Sequence, residues 1–234
     1  MPEKKFIIIM VIFFCTIAFL SFMLSPFFAI RDYEITGNNY FSPERAVVVV
    51  EPYLEQNIWT INPNQIEQRL EQISYINQAS VNRSLPAGLA IELKEREPIA
   101  LINGDNNYFL FSSSGYILAD DVQPEEIKLP VIEGMGYIFS GPRIIFHSNL
   151  EKIVNILANR SEQFRQQINV IQTSDSGDLY LILDNEIRVI MGEFEQLDYK
   201  MQMLDSVLAE VEEKNLAVDY IDLSIVNRPV IKEQ

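Results

Sequence analysis

Residues 6–30 read FIIIMVIFFCTIAFLSFMLSPFFAI, without one charged side chain. From 6 to 24 only Thr16 and Ser21 are polar. At about 1.5 Å per helical residue the run reaches roughly 37 Å, more than the ~30 Å hydrocarbon core of a bilayer. A segment apolar on every face is not an amphipathic surface helix. A cleaved signal peptide has a shorter apolar core that ends at a small-x-small site. Here the candidate Ala29 follows Phe27 and Phe28, so the pattern predicts an uncleaved transmembrane helix over 6–30. Lys4 and Lys5 precede it and Arg31 and Asp32 follow. The positive-inside rule then places a tail of residues 1–5 in the cytoplasm and residues 31–234 outside. Cys15 falls inside the span and reads as a lipid-facing side chain.

The periodicity then changes. Tyr33-Glu34-Ile35-Thr36 alternates like a short strand, and Gly37-Asn38-Asn39 turns. Ser42-Pro43-Glu44 is a helix start, with Ser as cap, Pro at the first helical position and Glu at the positive end of the dipole. That helix is predicted to reach Leu54. Asn62-Pro63 opens a second, with Ile66, Leu70 and Ile73 on one side. Two strands follow: Asn77–Ser84, with Ala79, Val81 and Arg83 on one face, and Leu89–Glu95. The order is β-α-α-β-β. Beyond it, Tyr108–Phe111 and Tyr116–Leu118 flank a Ser-Ser-Gly hairpin, and Pro130–Ile132 is a short apolar piece. Asn149–Arg160 is an amphipathic helix on Leu150, Ile153, Val154 and Leu157. Strands are predicted at 168–172, 179–183 and 187–191. A helix over 196–214 carries Leu197, Met201, Leu204, Leu208 and Val211, and strands at 220–225 and 230–231 close the chain.

Charge narrows the function. Lys plus Arg is 18 and Asp plus Glu 33, a net charge of −15, and the outward part alone has 16 basic and 32 acidic residues. No clustered basic surface is left for nucleic acid. One cysteine excludes an internal disulfide and one histidine a His-rich metal site. His147 stands alone, and neither a G-x-S-x-G elbow nor an S-x-x-K pair is present. Asp120-Asp121 and Glu125-Glu126 read as a solvated edge rather than an acid–base pair, which needs contrasting environments. Neither enzyme, cofactor, metal nor small-molecule substrate is predicted.

Three blocks carry a family resemblance. The first is Ile35-Thr36-Gly37-Asn38 with Ser42-Pro43-Glu44. The second runs Ala79-Ser80-Val81-Asn82-Arg83, Leu85-Pro86, Leu89-Ala90-Ile91 and Glu95-Arg96-Glu97-Pro98-Ile99-Ala100. The third is Ile187-Arg188-Val189 to Gly192, then Lys200, then Tyr220-Ile221-Asp222-Leu223. Together, in order, they resemble the FtsQ/DivIB bacterial cell-division proteins. Two positions depart: Tyr75 is the aromatic offered before the strand of Ala79, and Ser224 stands where many members have Arg.

The resemblance implies an α+β chain: a transmembrane helix, a β-α-α-β-β POTRA-type domain over 31–100, and a mixed β-domain with helices over 101–234. It implies a non-catalytic, single-pass scaffold of the divisome in the bacterial plasma membrane at the septum, binding FtsB-type and FtsL-type partners. The terminal segment alternates Tyr220, Asp222 and Ser224 with Ile221, Leu223 and Ile225, so one face can pack while the other meets a partner. A strand at the chain end lies near an open sheet edge. The partner-binding residues expected there are Tyr220, Asp222, Ser224, Ile225, Asn227 and Arg228, with Ser80, Val81 and Arg83 as a second surface. A POTRA-type assembly or transport factor and a membrane-anchored envelope enzyme are the rival readings.

Overall fold

The computed structural model describes residues 2–104, 107–226 and 228–233. It divides into two units, Met1–Arg96 and Glu97–Gln234.

The first unit holds α1 (Pro2–Met23), β1 (Asp32–Thr36), α2 (Pro43–Val50), α3 (Pro63–Leu70), β2 (Ile76–Ser84) and β3 (Gly88–Glu95). Its sheet runs β1-β3-β2, with β1 parallel and β2 antiparallel to β3. Over Lys4–Met23, α1 is long and apolar enough to cross a membrane. It stops seven residues before the predicted end of the span, since Phe28 and Ile30 are buried in the domain that follows. Cys15 is exposed on α1. Ala46 and Val50 of α2 and Ile66 and Leu70 of α3 pack onto Ala79, Val81, Leu89, Ile91 and Leu93 of the sheet.

Two local devices differ from expectation. Ser42 makes no side-chain cap. The donors before α2 go to one carboxylate instead: Asn39 and Tyr40 N–H donate to Glu95 Oε2 (2.8 and 2.7 Å) and Phe41 N–H to Oε1 (3.0 Å). Helix α2 ends at Val50 rather than Leu54, continuing as a 3-10 turn over Glu51–Tyr53, because Pro52 has no N–H to give. Gly37 is required where it stands. Its φ is +81°, and a Cβ there would lie 2.0 Å from the Leu93 carbonyl oxygen.

The second unit holds β4 (Pro98–Asn103), β5 (Tyr108–Ser112), β6 (Ile117–Val122), β7 (Val131–Glu133), β8 (Tyr137–Ser140), β9 (Arg143–Phe146), α4 (Ser148–Ala158), α5 (Glu162–Gln166), β10 (Ile168–Thr173), β11 (Leu179–Leu183), β12 (Arg188–Gly192), α6 (Leu197–Lys214), β13 (Val218–Asp222) and β14 (Val230–Glu233). Nine strands form one mixed sheet in the order β14-β13-β12-β11-β10-β7-β4-β5-β6, and β8 and β9 make a separate hairpin. Strand β4 takes in Pro98–Ala100, so these residues pair into the second sheet rather than closing the first domain. The apolar stripes of α4 and α6 share one core with Ile171, Leu181, Val189 and Ile221. The parallel pair β12–β13 is joined through α6, as parallel neighbours require a crossover. Arg165 is fully buried; its guanidinium donates to the Leu157 and Arg160 carbonyls (3.1 and 2.9 Å) and pairs with Glu97.

Leu70 is inaccessible to solvent, so Leu70→Ala is expected to cost about 2–5 kcal/mol in urea unfolding of residues 25–234. Glu95→Ala removes a charged acceptor from three amides, two of them exposed to water, and is expected to cost about 1–3 kcal/mol in the same measurement. A loss below about 0.5 kcal/mol for either would remove it from this account.

Candidate functional site

The expected partner residues gather at one end of the nine-stranded sheet. Strand β13 carries Tyr220 and Asp222 and is covered on both sides. It pairs parallel with β12 (Tyr220 beside Arg188, Ile221 beside Val189) and antiparallel with β14 (Tyr220 beside Lys232, Ile221 beside Ile231). The predicted strand over 220–225 therefore ends early, and the strand at the sheet's end is β14. The alternation holds through Leu223: Ile221 and Leu223 are buried while Tyr220, Asp222 and Ser224 are half-buried. Ile225 breaks it, leaving the strand line in the turn and exposing 62% of its surface. Asp222 accepts the Ser224 N–H (2.8 Å) and so starts that turn. Arg228 is exposed and its N–H donates to the Ile225 carbonyl. Asn227 lies outside the described residues.

Ser224 packs against a glycine that has no room for a side chain. Gly192, at φ +66°, faces it so closely that a Cβ on the glycine would lie 2.9 Å from the Ser224 Cβ. Beneath this contact Lys200 is buried, donating to the carbonyls of Met191 (2.7 Å) and Glu193 (2.8 Å). Burial pushes the Lys200 ammonium below the ordinary lysine range, against the opposing pull of Glu193, Glu195 and Asp178. A cleft of about 300 Å³ sets Glu193, Glu195 and Lys200 against Ser224, Ile225 and Val226. Lys200 stood in a sequence block without a role; a lysine between the apolar positions Leu197 and Met201 is the signal that marked it as buried and partnered.

The β14 edge is short and partly charged. Val230 is half exposed, and the exposed Lys232 pairs with Asp219 (2.7 Å) and lies 5.4 Å from the Tyr220 ring centre. The second expected surface is arranged differently. Strand β2 is an edge of the first sheet, but Ala79 N–H donates to Glu71 Oε1 (3.1 Å), just past the end of α3, and Val81 N–H to Glu67 Oε1 (2.8 Å) on α3. Val81 is itself buried, Ser80 half-buried, and Arg83 spends its guanidinium on the Ile58 and Ile61 carbonyls (2.7 and 2.9 Å). Ser80, Val81 and Arg83 thus lie on an edge where the amides of Ala79 and Val81 are already taken from within. The spacing of Glu67 and Glu71, one helical turn apart, was the readable signal.

The groups weighed for chemistry do not converge. His147 is exposed just before α4, and Asp120, Asp121, Glu125 and Glu126 are all exposed. A cleft of about 870 Å³ beside α5 is lined by amides such as Gln163, Gln166, Gln167 and Asn169, with Asp184 and Glu212, and holds no nucleophile with a base.

Residues 28–96 match the model of the FtsQ-type POTRA domain, and residues 100–224, more than half of the chain, match that of the C-terminal domain of the cell division proteins FtsQ/DivIB. The cell division protein DivIB of Clostridium tetani is 26% identical over 217 residues, covering 88% of this chain and 80% of that protein. DivIB of Clostridium botulinum is 25% identical over 234 residues, with coverage of 97% and 90%. The cell division protein FtsQ of Syntrophotalea carbinolica is 22% identical over 215 residues, covering 89% and 75%.

Lys200→Met is expected to lower stability by about 1–3 kcal/mol at neutral pH, since two carbonyls lose a charged donor. The sign with pH is set by the direction of the shift. With the folded value lowered, the unfolded chain binds more protons between that value and the ordinary one, so wild-type stability gains with rising pH there. Denaturant melts of both proteins from neutral to alkaline pH should show the gap widening; a constant gap would mean that the ammonium is not desolvated.

Proposed function

We propose that this chain, which belongs to the FtsQ/DivIB family of cell-division proteins, works as a non-catalytic, single-pass scaffold that holds an FtsB-type partner, itself paired with an FtsL-type protein, on the free edge of β14. In this reading α1 anchors it in the bacterial plasma membrane at the septum, with Lys4 and Lys5 on the cytoplasmic side and both domains outside. The observation that carries the reading is the contrast between two edges. Strand β14 is paired on its β13 side and ends the sheet, whereas the N–H groups of Ala79 and Val81 on β2 are taken by Glu71 and Glu67. A strand added to β14 gains main-chain hydrogen bonds, while the turn with Ile225 and Arg228 supplies side-chain contacts beside it. The closed β2 edge counts against a POTRA-type factor that receives exported chains on that strand. The relatives are named as cell division proteins rather than enzymes, which supports a role without catalysis.

Successive N–H groups of an edge strand point alternately toward its neighbour and away. Of Ile231→Pro and Lys232→Pro, the one that removes the outward N–H is expected to weaken binding of a soluble FtsB-type segment about tenfold or more while leaving the thermal melt cooperative; a tenfold change is about 1.4 kcal/mol. The matching alanine variants should bind within a few-fold of wild type. Ile225→Asp is expected to hold stability within about 0.5 kcal/mol, because the side chain is exposed, and still to weaken binding. Unchanged binding in both proline variants, each folded, would place the partner elsewhere.

A further inference from the structure

The exit from α1 is held rather than hinged. Asn57 Nδ2 donates to the carbonyl of Met23, the last residue of the helix (2.9 Å), and to that of Ser25 (3.4 Å). Arg31 reaches back to the Pro26 carbonyl (3.1 Å). Residues 28–30 run beside 55–58: Ile58 N–H donates to Phe28 O (2.8 Å), Ile30 N–H to Gln56 O (2.9 Å) and Glu55 N–H to Ile30 O (2.8 Å). Every step from helix to domain is therefore tied by hydrogen bonds or by burial of Phe28 and Ile30.

The sheet topology brings more chain to that end. Strand β1 starts at Asp32 opposite Gly88, where β3 starts, and Ser84 at the end of β2 is also paired with Gly88. The β2–β3 turn thus lies at the α1 end, with Arg31 N–H donating to the Ala87 carbonyl (2.8 Å). Exposed here are Leu24, Phe27, Trp59 and Leu85, at 63%, 54%, 42% and 57%. Trp59 sits against Phe28, ring centres 5.8 Å apart. Its turn is fixed: Trp59 N–H donates to Asn57 Oδ1 (3.0 Å), Thr60 Oγ1 donates to Asn57 O (2.8 Å), and Arg83 braces the carbonyls of Ile58 and Ile61. Arg83 is thereby a positioning residue for Trp59.

We propose that this end of the first domain is seated in the lipid interface of the membrane that α1 crosses, with Trp59, Phe27, Leu24 and Leu85 as its contact surface. The proposal rests on the anchoring role given to α1 above. Lys4–Met23 is 20 residues, about 30 Å of helix, which matches the hydrocarbon thickness and sets Met23 at its outer boundary. The residues tied to Met23 then fall at headgroup depth, where tryptophan and other amphipathic rings gather. Lipid is the occupant favoured because the patch is continuous with the span itself, and because an aromatic cluster held rigidly at that depth enters the interface without further ordering of the chain.

Trp59 is the one tryptophan of the chain, so its emission reports on this surface alone. The test reconstitutes the full chain into vesicles of phosphatidylcholine and phosphatidylglycerol, with ordinary acyl chains or chains brominated near the headgroup. The expected result is emission blue-shifted from that of a water-exposed indole, a loss of about half of it in the brominated vesicles, and little quenching by aqueous iodide. Emission open to iodide and untouched by bromine would overturn the seat. So would emission shielded from both, which would mean that protein, such as a second copy, covers Trp59. Alkaline extraction of the same vesicles separates the two readings. A chain released by alkali defeats the anchor; a chain retained with Trp59 in water defeats the seat alone.

Discussion

A backbone N–H at the edge of a sheet must find an acceptor, and two edges of this molecule, β2 and β14, meet that constraint differently. An amide left unpaired and away from water costs as much as a lost hydrogen bond. In the first domain α3 lies along β2 with Glu67 and Glu71 one turn apart, and their carboxylates take the Val81 and Ala79 amides. The helix thus does two jobs: Ile66 and Leu70 fill the core and the glutamates finish the edge. Among the described residues of the second domain, the last strand β14 is paired with β13 alone and ends the sheet.

The run Glu95-Arg96-Glu97 shows how much of the sequence signature is architecture. Glu95 collects the amides of residues 39–41. Arg96 ties down the turn after α3 through the carbonyls of Ser74 and Ile76. Glu97 pairs with Arg165, which is buried at the foot of α4. The two terminal nitrogens of this buried guanidinium are spent on a carboxylate and two carbonyls, while its Nε has no hydrogen-bond partner. Three adjacent polar residues therefore serve the two cores rather than a binding surface.

Periodicity made much of the fold legible. The stripes of α3, α4 and α6 and the alternation in β3 are local facts, and these elements appear within a few residues of where the pattern put them. The boundary of α1 was not legible, because Phe28 and Ile30, buried against protein, look in sequence like residues buried in lipid. The five-residue α5 and the β8–β9 hairpin are too short to build a period. For the candidate site, the buried Ile221 and Leu223 were readable from alternation, and the exposure of Ile225 was not, since it depends on Asp222 turning the chain. That β14 forms an edge of the sheet was also hidden. Strand order comes from long-range pairing, and nothing local in Tyr220–Asp222 reveals that β14 will fold back over it.

An edge strand left open has to resist pairing with the wrong chain, and β14 carries the means. It is four residues long, preceded by Pro229, with Lys232 and Glu233 exposed. Short length, proline and charge are the usual protections of an edge strand. The same features limit what main-chain pairing alone can contribute, because four residues supply few outward amides. In the proposed role a partner must therefore gain the rest beside the strand. Ile225, held out by the Asp222 turn, and the Glu193–Glu195 cleft next to it are the features placed to discriminate. In that proposed role, backbone pairing would set register, and the turn rather than the strand would decide which partner is kept.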